Sequence, residues 1–268
     1  MLSIVVFACY LASALWLGSS VRNASGPARG THVAGISMGL LALAFHGIKL
    51  WRDLAGLPEF ALSAGGTASL VAWAIAAIAV LAAVRRPRFA GASAILLLIA
   101  GIVAALVDDT VRDFTAGRSG WELTAHVVLS TLAYALLTVG AVLAIALTVL
   151  DRRLRRRQPL GFLAALPPLE SLESGMFQAI AAGFALLSLA LFSGFIFVED
   201  FLAQHLIHKA VLSCLAWLVF AVLLAGRGYL GWRGRTALRW TLGGYVLLAL
   251  AYFGSKLVLE GILGRHWG

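Results

Sequence analysis

Histidine is the residue in this chain with the most chemistry to offer, and five of its six histidines gather near one face of the bundle that its alternating apolar runs would form. His46 lies near the end of the second run, His126 at the start of the fifth, His205 and His208 around the start of the seventh, and His266 just after the eighth; only His32 lies on the opposite side. A neutral imidazole is a good metal ligand, and two imidazoles from different helices can hold one haem iron from its two faces. Such a pair needs no fixed spacing in sequence. The placement of helices, not a motif, has to bring it together.

Each histidine also has a plainer role open to it. His126, just after Trp121 and Glu122, suits an interfacial side chain reaching water. His266, between Arg265 and Trp267, suits a solvated tail. His46, within the apolar stretch 41–48, suits a structural imidazole bonded to a carbonyl. His205 and His208, at i and i+3, share a helix face, but no third ligand at zinc-site spacing accompanies them, so they read as a solvated edge. Cys9 and Cys214 fall in separate runs, which excludes a Cys-x-x-Cys redox pair and a covalent haem-attachment motif. No carboxylate pairs cross the apolar runs and no glycine-rich phosphate loop is present. These absences point away from an ion-relay transporter and from phosphate-loop nucleotide binding.

The elements that must position these residues follow from composition. Apolar and aromatic residues make up 61% of the 268 residues and charged ones only 12%, about half the charged share of a soluble domain. Crossing a hydrocarbon layer about 30 Å thick takes roughly 20 helical residues. The runs at 2–20, 33–51, 67–84, 90–107, 122–150, 176–198, 208–226 and 238–261 meet that requirement, and Ala94 to Leu106 and Ala141 to Leu150 are apolar on nearly every face, unlike the alternating strands of a barrel. The expected fold is all-α: one polytopic integral membrane domain, residues 1–268, with eight transmembrane helices. The first run has no positive leader and no small-residue cleavage pattern, so it is expected to remain as helix 1.

Lys and Arg orient the bundle, because they are retained on the cytoplasmic side. Fourteen of the twenty-one, including Arg85, Arg86, Arg88, the cluster Arg152, Arg153, Arg155, Arg156 and Arg157, and Arg227, Arg233, Arg235 and Arg239, follow runs 1, 3, 5 and 7. Nine of the twelve acids lie on the other side, so both termini are expected to be extracytoplasmic. The net charge of +9 therefore belongs to loops beside anionic lipid and not to a nucleic-acid surface. The Arg152 to Arg157 cluster reads first as a topology anchor, with a docking site for a partner as the alternative. Pro167 and Pro168 are expected to break the chain before run 6, leaving a short interfacial segment ahead of it. Lys256 and Glu260, at i and i+4 near the outer end of run 8, are expected to pair.

Several segments of the second half resemble the cytochrome c assembly superfamily of haem-handling membrane proteins, the CcsA, ResC and CcmC proteins, nearest to its YpjD and HemX-type inner-membrane branch. They are His126 and Val127 with Tyr134 at the opening of run 5, LPPLESLE at 166–173, HKAVLSCLAW at 208–217, GWRGR at 231–235 and AYFGS at 251–255. The resemblance covers roughly 120–268. It implies a multi-pass protein of the bacterial inner membrane that binds haem non-covalently, as haem b, and acts as a haem chaperone or accessory factor without catalysing a reaction itself. Partners implied are membrane lipid and a cytochrome c assembly or haem-biosynthesis protein. The axial ligands it implies are His126 and His266, with His46 as an intramembrane ligand or gate. One signature is absent: the family's haem-delivering members carry a tryptophan-rich WGxxWxWD loop between runs 6 and 7, and residues 197–207 here hold no tryptophan. A HemX-like scaffold or regulator that has lost haem transport is the alternative.

Overall fold

The computed structural model describes residues 2–21, 29–55, 64–107, 121–197 and 204–254. Among them are eight α-helices and no strand: α1 (Leu2–Ser20), α2 (Arg29–Ala55), α3 (Ala64–Arg85), α4 (Ala90–Leu106), α5 (Trp121–Arg155), α6 (Leu169–Phe197), α7 (Gln204–Tyr229) and α8 (Gly234–Ala249). Seven of them, α1 to α7, supply segments long and apolar enough to cross a membrane. The helix α8 runs into a π turn, Leu250–Gly254, and the rest of the eighth expected span, 255–261, lies outside the described residues together with Lys256, Glu260 and His266. Large side chains such as Leu15, Leu106, Phe192 and Phe195 are all at least 60% exposed. Water would disfavour that surface and hydrocarbon does not.

The chain divides into two compact units, residues 1–117 with 149–172, and residues 118–148 with 173–268. In the first unit α1 packs on α2 and α4, and α3 on α2 and α4. Lipid tails are as apolar as leucine, so the contacts rest on close approach and small residues. Gly35 receives Leu17, Gly39 receives Ser13 and Val80, and Gly101 receives Tyr10. Ser13 Oγ donates to the Gly35 carbonyl at 2.7 Å, and Ser93 Oγ of α4 to the Ala79 carbonyl of α3 at 2.8 Å. Pro87 opens a short 3-10 turn, Pro87–Phe89, that reverses the chain between α3 and α4. A second 3-10 turn, Gly161–Ala165, stands where the interfacial segment was expected, and the Ala165 backbone lies against Gly91. The helix that follows begins at Leu169 and not at 176. The prolines act as its entry, with the Pro168 carbonyl accepting from the Leu172 N–H at 3.0 Å, because a proline ahead of the first turn costs no helical hydrogen bond.

In the second unit Gly140 of α5 receives Ile180 of α6, Gly183 of α6 receives Leu137, and Gly244 of α8 receives Phe220 of α7. The turn between α7 and α8 is held by aromatic and charged residues together. Trp232 lies against Gly226 and stacks on Trp240 at 5.4 Å between ring centroids, and the Arg227 guanidinium sits 4.7 Å above the Phe177 ring. Arg233, the N-cap of α8, has no capping bond from its own side chain. Glu173 of α6 supplies one instead: its Oε1 accepts from the Gly234 N–H at 3.2 Å, and its Oε2 accepts from Arg233 Nε at 3.1 Å and lies 3.0 Å from Nη2.

Candidate functional site

His126 stands in the second turn of α5, half-buried. Its Nδ1 lies 2.9 Å from the Oγ of Ser193 on α6, and that hydroxyl donates to the Ala190 carbonyl of its own helix, also at 2.9 Å. Ser193 is buried. No hydrogen bond from the His126 Nε2 is present among the described residues. Deeper along α5, Tyr134 meets the rings of Tyr245 and Tyr252 at 5.8 and 5.1 Å between centroids, and the Tyr245 hydroxyl lies 3.2 Å from Thr138 Oγ1. Thr131, one turn before Tyr134, is buried, and its hydroxyl has no partner among the described residues. On the α6–α7 side, Trp217 Nε1 donates to Ser188 Oγ at 2.8 Å and its ring stacks on Phe184 at 5.5 Å.

His46 belongs to the other unit and is fully buried. Both of its ring nitrogens face hydroxyls: Nδ1 lies 3.2 Å from the Tyr10 Oη of α1 and Nε2 lies 3.0 Å from the Ser69 Oγ of α3. Iron ligation there needs one hydroxyl to give up its nitrogen. One turn further along α2, the buried Lys49 pairs with Asp53 at 3.2 Å. His205 and His208 stand on the backbone of the first turns of α7. Among the described residues, no three His, Cys, Asp or Glu side chains gather as a metal site.

Ser193, Tyr10 and Ser69 had no sequence signal. Each is a lone hydroxyl inside an apolar run, and only the crossing of two helices gives it a histidine. The pairing of Glu173 with Arg233 was also invisible, although it joins two of the segments, LPPLESLE and GWRGR, that carry the resemblance.

The profile of the cytochrome c assembly protein family matches residues 63–263, well over half of the chain. The chain belongs to that family. His126 lies within the matched residues, and His46 and His266 fall outside them. Among curated family relatives, the inner membrane protein YpjD of Escherichia coli K12 is 40% identical over 135 residues, 50% of this chain and 51% of YpjD. A 28.8 kDa protein of Azospirillum brasilense is 32% identical over 171 residues, 63% of each chain. The cytochrome c biogenesis protein CcsA of a Synechococcus strain is 29% identical over 173 residues, 56% of this chain and 57% of CcsA. The chain thus spans about half to three fifths of the length of the relatives it matches. No solved structure matches it. Family membership and the apolar helices make this a multi-pass protein of the bacterial inner membrane.

Proposed function

We propose that this member of the cytochrome c assembly family binds haem b non-covalently on its extracytoplasmic side and works as a haem chaperone or accessory factor, with no covalent chemistry of its own. The observation that carries this reading is His126. It lies within the family-matched residues, at the helix start that charge asymmetry turns outward, half-buried, with one ring nitrogen anchored on Ser193 and no hydrogen bond to the other among the described residues. Haem supplies an iron that accepts axial imidazoles. His126 and His266 would hold it, and His46 would serve as a deeper ligand or gate by exchanging Tyr10 or Ser69. The bundle would have eight spans with both termini extracytoplasmic, the arginine-rich ends lying against anionic lipid. A cytochrome c assembly component or a haem-biosynthesis protein would be its partner.

The visible spectrum of detergent-purified full-length protein, with and without added haem, tests this. A bis-histidine Soret and a sharp reduced α-band, lost in both His126→Ala and His266→Ala, are expected. A featureless spectrum with excess haem would sink the reading. A second reading, a HemX-like scaffold or regulator, draws on the absence of tryptophan from 197–207 and on the exposed Arg152, Arg153, Arg155, Arg156 and Arg157 as a docking surface. Retained partner binding by a protein that takes up no haem would favour it.

A further inference from the structure

We infer that Ser193 is a positioning residue for the haem ligand: it fixes His126 in the tautomer protonated at Nδ1, so that Nε2 is the atom presented to iron. The inference rests on the haem reading above and adds the residue that controls how the ligand is offered.

A serine hydroxyl has one proton and two lone pairs. The Ser193 proton is directed to the Ala190 carbonyl at 2.9 Å, which leaves oxygen lone pairs facing His126 Nδ1, also at 2.9 Å. Two acceptors cannot share that contact, so Nδ1 carries the proton. A neutral imidazole protonated at Nδ1 has its lone pair on Nε2 alone. The Ser193 side chain is itself buried, and the i→i−3 bond to its own helix restricts its rotation, so the acceptor is fixed before any ligand arrives.

The consequences are orientation and electronics. A hydrogen bond accepted from the distal ring N–H holds a metal-bound histidine in one plane and raises its basicity, and losing such a partner typically weakens metal binding by about 10–100-fold. A more basic imidazole favours ferric over ferrous iron. The chain from Nδ1–H to Ser193 to the Ala190 carbonyl polarises along its length and strengthens that effect.

The test uses full-length protein in detergent, as wild type, Ser193→Ala, Ser193→Thr and His126→Ala. Three readouts apply: the haem dissociation constant from Soret titration, the midpoint potential of the bound haem, and the 15N spectrum of the histidine side chains in haem-free protein. Ser193→Ala is expected to weaken haem about tenfold and to raise the potential, while Ser193→Thr keeps a hydroxyl and stays near wild type in both. The wild-type 15N spectrum should show His126 protonated at Nδ1, with that preference lost in Ser193→Ala. Equal melting temperatures of the haem-free variants separate these effects from loss of fold. If His126→Ala loses haem but Ser193→Ala matches wild type in affinity and potential, the inference is wrong and the haem reading survives. If alanine and threonine are equally impaired at equal melting temperatures, the hydroxyl is not the cause and the inference is again wrong. If wild type takes up no haem while the 15N spectrum shows Nδ1 protonated, the haem reading fails and the tautomer assignment alone stands.

Discussion

Glu173 ties the start of α8 to α6, and removing it should loosen one end of the second unit by a measurable amount. The carboxylate side chain is 11% exposed, whereas the Arg233 side chain is 58% exposed, so the two ends of the pair respond differently to truncation. Glu173→Ala lets the arginine rehydrate, which limits the loss of the ion pair to about 0.5 kcal/mol. It also strips the capping acceptor from the Gly234 N–H, worth about 1 kcal/mol, for a total of roughly 1.5 kcal/mol. At about 2–4 °C per kcal/mol for a chain of this size, the melting temperature should fall by about 3–6 °C. Arg233→Ala is harder on the partner it leaves behind, because a nearly buried carboxylate keeps one amide donor and loses its cation, at a cost of about 1–2 kcal/mol. A double-mutant cycle read by thermal unfolding in detergent should then give a coupling of about 1 kcal/mol. Asp151→Ala, which breaks the exposed i,i+4 pair with Arg155, is the control and should leave the melting temperature unchanged. Strictly additive single mutants would refute the Glu173–Arg233 pair, and a Glu173→Ala melting temperature equal to wild type would refute the idea that this carboxylate caps α8.

Three further outcomes follow from the packing and topology. Gly226→Ala should destabilise by about 1–3 kcal/mol, because a methyl there overlaps the Trp232 ring, whereas Gly243→Ala, which meets nothing within 4 Å, should be neutral or stabilising by up to about 1 kcal/mol; melting temperatures of the two variants decide it. Tyr10→Phe removes the hydroxyl that lies 3.2 Å from the Nδ1 of the fully buried His46 and should cost about 1 kcal/mol, with accelerated amide exchange in α1 and α2; a wild-type exchange pattern would count against a structural bond there. Reporter fusions after residue 158 should read cytoplasmic, and fusions within 108–120 extracytoplasmic; the reverse pattern would overturn the orientation drawn from the arginines.

The sequence alone determined the class of molecule. An all-round apolar run of about 20 residues has few stable solutions other than a membrane-crossing helix, because every backbone N–H and C=O must be bonded within the segment when no water is present. Seven of the expected spans appear as helices within a turn or two of where the runs place them, and the family was legible from the short segments beyond residue 120. The start of α6 was misplaced because a proline pair reads as a break, and only the backbone shows that Pro168 is the entry to the helix. What the pattern could not contain was the partner of each polar group. Periodicity states which face of a helix is apolar but is silent about which neighbour crosses it, so Ser193 beside His126, Tyr10 and Ser69 around His46, and Glu173 under α8 were decided by tertiary packing alone. In hydrocarbon these assignments carry more structural information than any hydrophobic contact. Apolar side chains lose little by trading a neighbour for lipid, while a buried hydroxyl, imidazole or carboxylate has only the partners that the fold brings to it.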